Sequence, residues 1–313
     1  MAAIIVGVVA SIVFVLIHIA PGDPFSVAID NPNVTETIRQ RWRHEYGLDQ
    51  PLGTQYIYYL ANVARGNLGW SFSLRRPVVD VLAAALPNTI LLTMIAIILG
   101  FLIGIWLGVV QAARAGSRSD RISTWITMFF FAMPDFWLAL MILLLFAYWI
   151  PIFPVGGAID PAMHDYMSLP QQIGDRLWHL VLPVFTLALL IAAEVARYQR
   201  GELLKILPED YIRTAYAKGV PTRDVLMRHA LRNALIPVIN LAGLRLPLIF
   251  AGAVFVERVF AWPGMGWTIV NAVSTRDYPL VLAGVIVGSA AVAIGSLLAD
   301  IMSRLADPRT ERS

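Results

Sequence analysis

Six stretches of this chain, 2–20, 88–110, 122–150, 179–196, 235–256 and 280–302, are long, apolar and nearly free of charge. A helix needs about 20 such residues to cross a hydrocarbon core of about 30 Å, so each is long enough to span a bilayer. Backbone N–H and C=O groups cannot stay unpaired in lipid, and apolar runs of this length separated by polar loops imply helices rather than barrel strands. With 58% of its 313 residues hydrophobic and only 14% charged, the chain has too little polar surface for a soluble domain. The expected class is an all-α polytopic membrane protein of six transmembrane helices. The first stretch lacks a basic leading segment, and Ala20-Pro21 is a poor cleavage site, so it reads as a span rather than a signal peptide.

Loop charge orients the spans. Arg114, Arg118 and Arg121 follow the second span, with Asp120 as the only opposing charge. Eight basic residues from Arg197 to Arg232 follow the fourth, and Arg304, Arg309 and Arg312 follow the sixth. Alternation puts these on one side, and the basic side is cytoplasmic, so both termini are expected inside. The parts are then a first helix (1–20), an extracytoplasmic cap (21–87), a membrane core (88–302) and a cytoplasmic tail (303–313). Within the cap, 35–46 and 55–63 read as helices, and Gly66-Asn-Leu-Gly69 and Arg76-Pro77 as turns.

Within the spans, Pro134, Pro183, Pro237 and Pro247 predict kinks. His18, Asp135, Glu194 and Arg245 are ionisable groups in or near apolar sequence, where charge is costly and seeks a cavity or a partner. Arg245, near the middle of the fifth span, is a candidate pathway residue; a structural pair with an acid is the competing reading. Gly100, Gly104 and Gly108, spaced by four, let a helix approach closely, and Gly284, Gly288 and Gly295 form a looser version.

The basic loop 197–234 carries the most specific pattern. Glu209 and Asp210 sit where a helix N-terminus favours negative charge, and Lys218 lies near its end. Gly219 supplies a stop, and Pro221 prevents continuation. A second helix over 222–233 completes a helix–turn–helix projection whose Tyr211, Ile212, Ala215 and Tyr216 are expected to present an apolar face. Attraction to anionic lipid explains the arginines but not this layout.

Other chemistry is poorly supported. The two lysines lie outside any GxxxxGK[ST] loop, HExxH and GxSxG are absent, and there is no cysteine for a disulfide or a thiolate ligand.

The segment from Glu209 to Gly219, followed by Arg228-His-Ala-Leu-Arg-Asn-Ala-Leu-Ile-Pro237, resembles the EAA-type loop of bacterial ABC importer permeases. More narrowly, the chain resembles the dipeptide, oligopeptide and nickel permeases of the first-gene type. Matches run along nearly the whole chain: Ala20-Pro-Gly-Asp-Pro24, Gly47-Leu-Asp-Gln-Pro-Leu52, Gly66-Asn-Leu-Gly69, 257–266, Arg276-Asp-Tyr-Pro279 and Asp307-Pro-Arg309. The resemblance implies a type I ABC importer transmembrane fold and a non-enzymatic half-transporter in a bacterial inner membrane. It implies a second homologous permease, two ATPase subunits that hold the ATP and Mg, an extracytoplasmic substrate-binding protein and a peptide cargo. No cofactor is expected in this chain, no metal, and no nucleic-acid partner. It assigns ATPase coupling to Glu209, Asp210, Tyr211, Arg213, Thr214, Ala215, Lys218 and Gly219. A scoop-like reach toward the binding protein falls to Pro263, Gly264, Met265 and Gly266 within 257–279.

Three departures accompany the resemblance. Tyr216 stands where the family often has arginine, and Arg245 matches no family position. The chain also starts almost directly in its first span, where relatives carry a short basic segment, which reads as a misassigned start or a shortened product. A nickel or metallophore cargo is the alternative within this architecture. A secondary transporter is the alternative outside it, disfavoured by the scarcity of intramembrane acids.

Overall fold

The computed structural model describes residues 2–19, 50–251 and 253–306. The expected helix over 35–46, the segment 20–34, the His18 and Pro247 side chains and the end of the tail lie outside what is described. The described chain is mostly helical. Helix α1 spans Ala2–Ile19, and α2, Leu52–Ala64, falls where an amphipathic helix is expected. Gly66 and Gly69 adopt φ of 75° and 86°, and they turn the chain into a small hairpin. Its strands, β1 (Trp70–Ser71) and β2 (Arg76–Pro77), pair antiparallel. Buried Asp277 pins the hairpin, its Oδ2 accepting from the Ser71 hydroxyl at 2.6 Å, the Ser73 hydroxyl at 2.6 Å and the Ser73 N–H at 3.0 Å.

Helix α3 (Val78–Ala113) begins ten residues before the expected second span, so the last part of the expected cap is helix. Helix α4 (Arg118–Ala132) and helix α5 (Asp135–Leu143), the latter prolonged by a π-helical stretch Leu144–Trp149, occupy the expected third span. That span is not one rod. Its halves bend by 104° at Met133-Pro134. Met133 is extended at ψ 135°, as sterics demand for a residue before proline, and Pro134 itself is extended at ψ 136°.

Helix α6 (Leu169–Ile206) is far longer than the expected span over 179–196 and runs through Pro183 without a break. A short α7 (Asp210–Ala217) follows. One helical turn, Thr222–Asp224, and a π-helical stretch, Val225–Ala230, lead into α8 (Leu231–Ala251). Helices α9 (Val254–Val259) and α10 (Met265–Ser274) precede α11 (Tyr278–Ala306). Among the described residues α3, α6 and α11 are each long and apolar enough to cross a membrane, and the bent α4–α5 pair makes a fourth candidate.

The glycine ladder finds its partner inside the chain. A Cβ on Gly100 would lie 2.7 Å from Ile191 Cβ, on Gly104 2.6 Å from Val195 Cβ, and on Gly108 2.7 Å from the Ala196 carbonyl oxygen. Three bare faces on α3 thus let it lie against α6 at near-backbone contact, where dispersion substitutes for a hydrophobic driving force in lipid. The looser repeat is not equivalent: Gly284 meets Ile269 at 2.7 Å, whereas Gly288 faces open space.

Candidate functional site

The surface helix α7 forms as its residues dictate. Glu209 is its N-cap, with ψ 147°, and its carbonyl accepts from the Ile212 and Arg213 N–H groups at 3.0 and 3.1 Å. At the other end Gly219 takes φ 77°, a conformation costly for a residue with a Cβ. Its N–H donates to the Tyr216 carbonyl at 2.9 Å, and the Val220 N–H donates to the Ala215 carbonyl at 3.2 Å. These are the paired bonds of a Schellman stop.

Half of the apolar face expected to be exposed on α7 is buried instead. Ile212 is fully buried and Ala215 only 7% exposed, packed with Leu203, Val225, Ala230 and Ala234 of the same chain. They anchor α7 to its own chain. Glu209, Asp210, Tyr211, Arg213, Thr214, Tyr216, Lys218 and Gly219 are exposed. Tyr211 is positioned by Asn233, whose Nδ2 donates to its hydroxyl at 2.8 Å, and Arg213 lies 3.7 Å from Asp210 in an open ion pair. Two buried side chains and a glycine stop hold this helix, polar face outward, in one packed cluster with the end of α6 and the start of α8.

Above this module sits a contact that loop-charge reasoning missed. Asp120, counted as a mere counter-charge, is 4% exposed and receives both Arg200 Nε and a terminal guanidinium nitrogen at 2.9 Å. The Gly116 N–H donates to the same carboxylate at 3.0 Å. This fork ties the α3–α4 turn to α6. The only sequence signal was an acid isolated among arginines; its partner lies 80 positions away.

A second site lies where the bent α4–α5 pair meets α3, α6 and α8. A cavity of about 610 Å³ is lined by Thr93, Phe131, Met133, Asp135, Glu194 and Arg245, together with aliphatic side chains. Three of the four ionisable residues singled out within the apolar sequence therefore converge on one space. Arg245 donates to the Glu194 carboxylate, a partner that sequence alone did not name. The bend at Pro134 is what brings Asp135 here, and its carboxylate accepts from the Phe136 N–H at 2.8 Å. Among the described residues Asp135 has no ionic partner.

The segment 263–266 does not form a projecting loop. Gly264, Met265 and Gly266 are buried, and a Cβ on Gly264 would lie 2.5 Å from the Glu257 carboxyl. The Met265 N–H donates to Thr89 Oγ1 at 2.7 Å, and that hydroxyl donates to Glu257 Oε1 at 2.7 Å. The Trp267 N–H donates to Glu257 Oε2 at 3.0 Å, and Asn88 Nδ2 donates to the Pro263 carbonyl at 2.9 Å. Glu257 is itself fully buried, and desolvation pushes its carboxyl above the ordinary range against the pull of these donors. Gly264–Gly266 are thus packed against their own chain: the two glycines admit a carboxyl and a backbone that any side chain would displace.

Comparison with known proteins agrees with this architecture. Residues 100–312 match the family described as binding-protein-dependent transport system inner membrane component, and residues 1–93 match the N-terminal region of such membrane components. The oligopeptide transport system permease protein AppB of Bacillus subtilis is 38% identical over 299 residues, covering 95% of this chain and 92% of that protein. The di/tripeptide transport system permease protein DppB of Pseudomonas aeruginosa is 35% identical, covering 96% and 93%. The dipeptide transport system permease protein DppB of Escherichia coli is 32% identical, covering 95% and 92%. The chain belongs to the family of binding-protein-dependent transport system inner membrane components.

Proposed function

We propose that this chain is one permease subunit of an ATP-driven importer of short peptides. The observation that carries the reading is end-to-end similarity to permeases named for peptide transport, joined to an outward-facing, rigidly capped α7. In this reading the chain crosses the inner membrane six times with both termini in the cytoplasm. It pairs with a second homologous permease, and two ATPase subunits supply ATP and Mg. An extracytoplasmic binding protein delivers the peptide. The chain itself performs no catalysis.

Mechanism follows from stiffness. Glu209, Asp210, Tyr211, Arg213, Thr214, Lys218 and Gly219 form the surface that an ATPase grips, while Ala215 and Ile212 transmit its displacement to Leu203 and Ala234. The displacement passes along α6 to the cavity, where Glu194 and Arg245 line the path. Packed elements switch between discrete arrangements rather than deform smoothly, so a shift at α7 biases the bundle between inward- and outward-open states. The bend at Met133-Pro134 is where the helical hydrogen-bonding of α4–α5 is interrupted, and in this reading it is the hinge of that span.

The test uses the complete complex in proteoliposomes. Lys218→Glu and Arg213→Glu lie on exposed positions of the α7 surface, so the chain itself folds, and they abolish peptide-stimulated ATP hydrolysis and peptide uptake together. Full stimulation in both variants refutes the coupling surface. Nickel uptake without peptide uptake by the wild-type complex refutes the cargo.

A further inference from the structure

We propose that the cavity at the α4–α5 bend is a transient binding site for the two charged termini of a peptide. Asp135 holds the free α-ammonium, and Arg245 leaves Glu194 to take the α-carboxylate. The inference rests on the peptide-permease reading and specifies which peptides the path accepts.

An ionised group at membrane depth is costly unless it faces a partner or a wetted cavity. Glu194 and Arg245 neutralise one another, which leaves Asp135 as an uncompensated acid on the same wall. Asp135 is half-buried, in the first turn of α5, and has no ionic partner among the described residues. The lining therefore holds two acids to one base and offers a cation one acceptor not already ion-paired. A further cation, Arg197, stands over the lining Phe131 with its guanidinium carbon 3.9 Å from the ring centre. The Glu194–Arg245 pair is only partly buried, its side chains 22% and 31% exposed, so a competing carboxylate can reach the guanidinium. Guanidinium recognises carboxylates through paired N–H donors, and an anionic cargo group makes the same bonds that Glu194 makes.

Size and surroundings fit this cargo. A space of about 610 Å³ falls in the usual range of small-molecule sites, which are mostly apolar with a few fixed polar groups. Leu187, Leu190 and Ile191 provide an apolar wall that tolerates varied side chains, while the polar contacts read only the termini. A bare metal cation is a poorer fit: among the described residues no group of three His, Cys, Asp or Glu could hold one. A peptide with both termini free enters neutral overall: its ammonium pairs with Asp135 and its carboxylate replaces that of Glu194 at Arg245, so the wall keeps one unpaired acid, Glu194 in place of Asp135.

The chain has no cysteine, so a single introduced thiol reports on the cavity. Ile97→Cys is placed on its wall, and the detergent-solubilised complex is labelled with a small thiol reagent in the absence of binding protein. The expected result is that alanylalanine protects the thiol, while its N-acetylated and C-amidated forms protect about tenfold or more weakly. Asp135→Asn weakens protection by alanylalanine to the same degree and brings it level with the acetylated form. Asp135→Glu restores it, which a merely structural role of Asp135 does not explain. Equal protection by all three peptides, no protection by any, or unchanged protection in Asp135→Asn overturns the proposal. Peptide uptake by the wild-type complex is measured in parallel. If uptake is present and protection fails, this site is wrong; if uptake itself is absent, the peptide reading is wrong.

Discussion

Substituting Gly104 by alanine tests the helix contact on which the bundle depends. The added Cβ would sit 2.6 Å from Val195 Cβ, 2.9 Å from Val195 Cγ1 and 2.8 Å from the Ala192 carbonyl oxygen. Carbon atoms in good contact lie about 3.5–4.0 Å apart, so α3 and α6 must separate by about 1 Å. Neither obstacle can swing away, because one is helix backbone and the other a β-branched side chain with one preferred rotamer. Overpacking costs about 1–3 kcal/mol, and the stiffness of this site argues for the upper half of that range. Alanine recovers at most about 1 kcal/mol through its better helix propensity. The net loss is about 1–2 kcal/mol, a factor of about 5–30 in the folded-to-unfolded ratio. Gly174→Ala is the control, since Gly174 too lies within a long helix, α6, but its Cβ would meet nothing within 4 Å. Reversible unfolding in mixed micelles compares the three proteins. The reasoning is refuted if Gly104→Ala unfolds at the same denaturant fraction as wild type while Gly174→Ala is neutral or stabilised.

Two further outcomes follow from the long-range polar contacts. Arg200→Met leaves the Asp120 carboxylate buried without its guanidinium and destabilises by on the order of 3 kcal/mol, whereas the double variant Arg200→Met, Asp120→Leu recovers much of that loss; unfolding midpoints of the single and double variants decide it. Thr89→Val removes the hydroxyl bridging Glu257 and the Met265 N–H and costs about 1–3 kcal/mol, with faster hydrogen exchange confined to 264–268 as the measurement.

What was legible along the chain was whatever one segment dictates to itself. Runs of apolar residues set the helices, Gly219 and Pro221 set the end of α7, and Gly66 and Gly69 set the turn before the hairpin. The ladder of Gly100, Gly104 and Gly108 announced a close contact, because small residues at that spacing have few other uses in an apolar helix. Each of these signals is local: a backbone conformation, a helical face or a bilayer thickness acts on neighbours within a few residues.

The tertiary structure decided the rest. Hydropathy sees only an apolar run across 122–150, so the 104° bend was invisible to it although Pro134 marked the place. Ile212 and Ala215 read as an exposed face because an amphipathic helix does not say which body its apolar side meets; here that body is its own chain. The outward reach of Pro263–Gly266 came from the resemblance alone, and nothing along the chain announced that Gly264 packs against the Glu257 carboxyl. The unnamed partners were settled across the fold: Arg200 for Asp120 at 80 positions, Glu194 for Arg245 at 51, and Thr89 for Glu257 at 168. Charge and hydrogen bonding act through space, and burial sets their strength. The sequence therefore declared which groups were costly to place in the membrane, and folding alone chose where each found its partner.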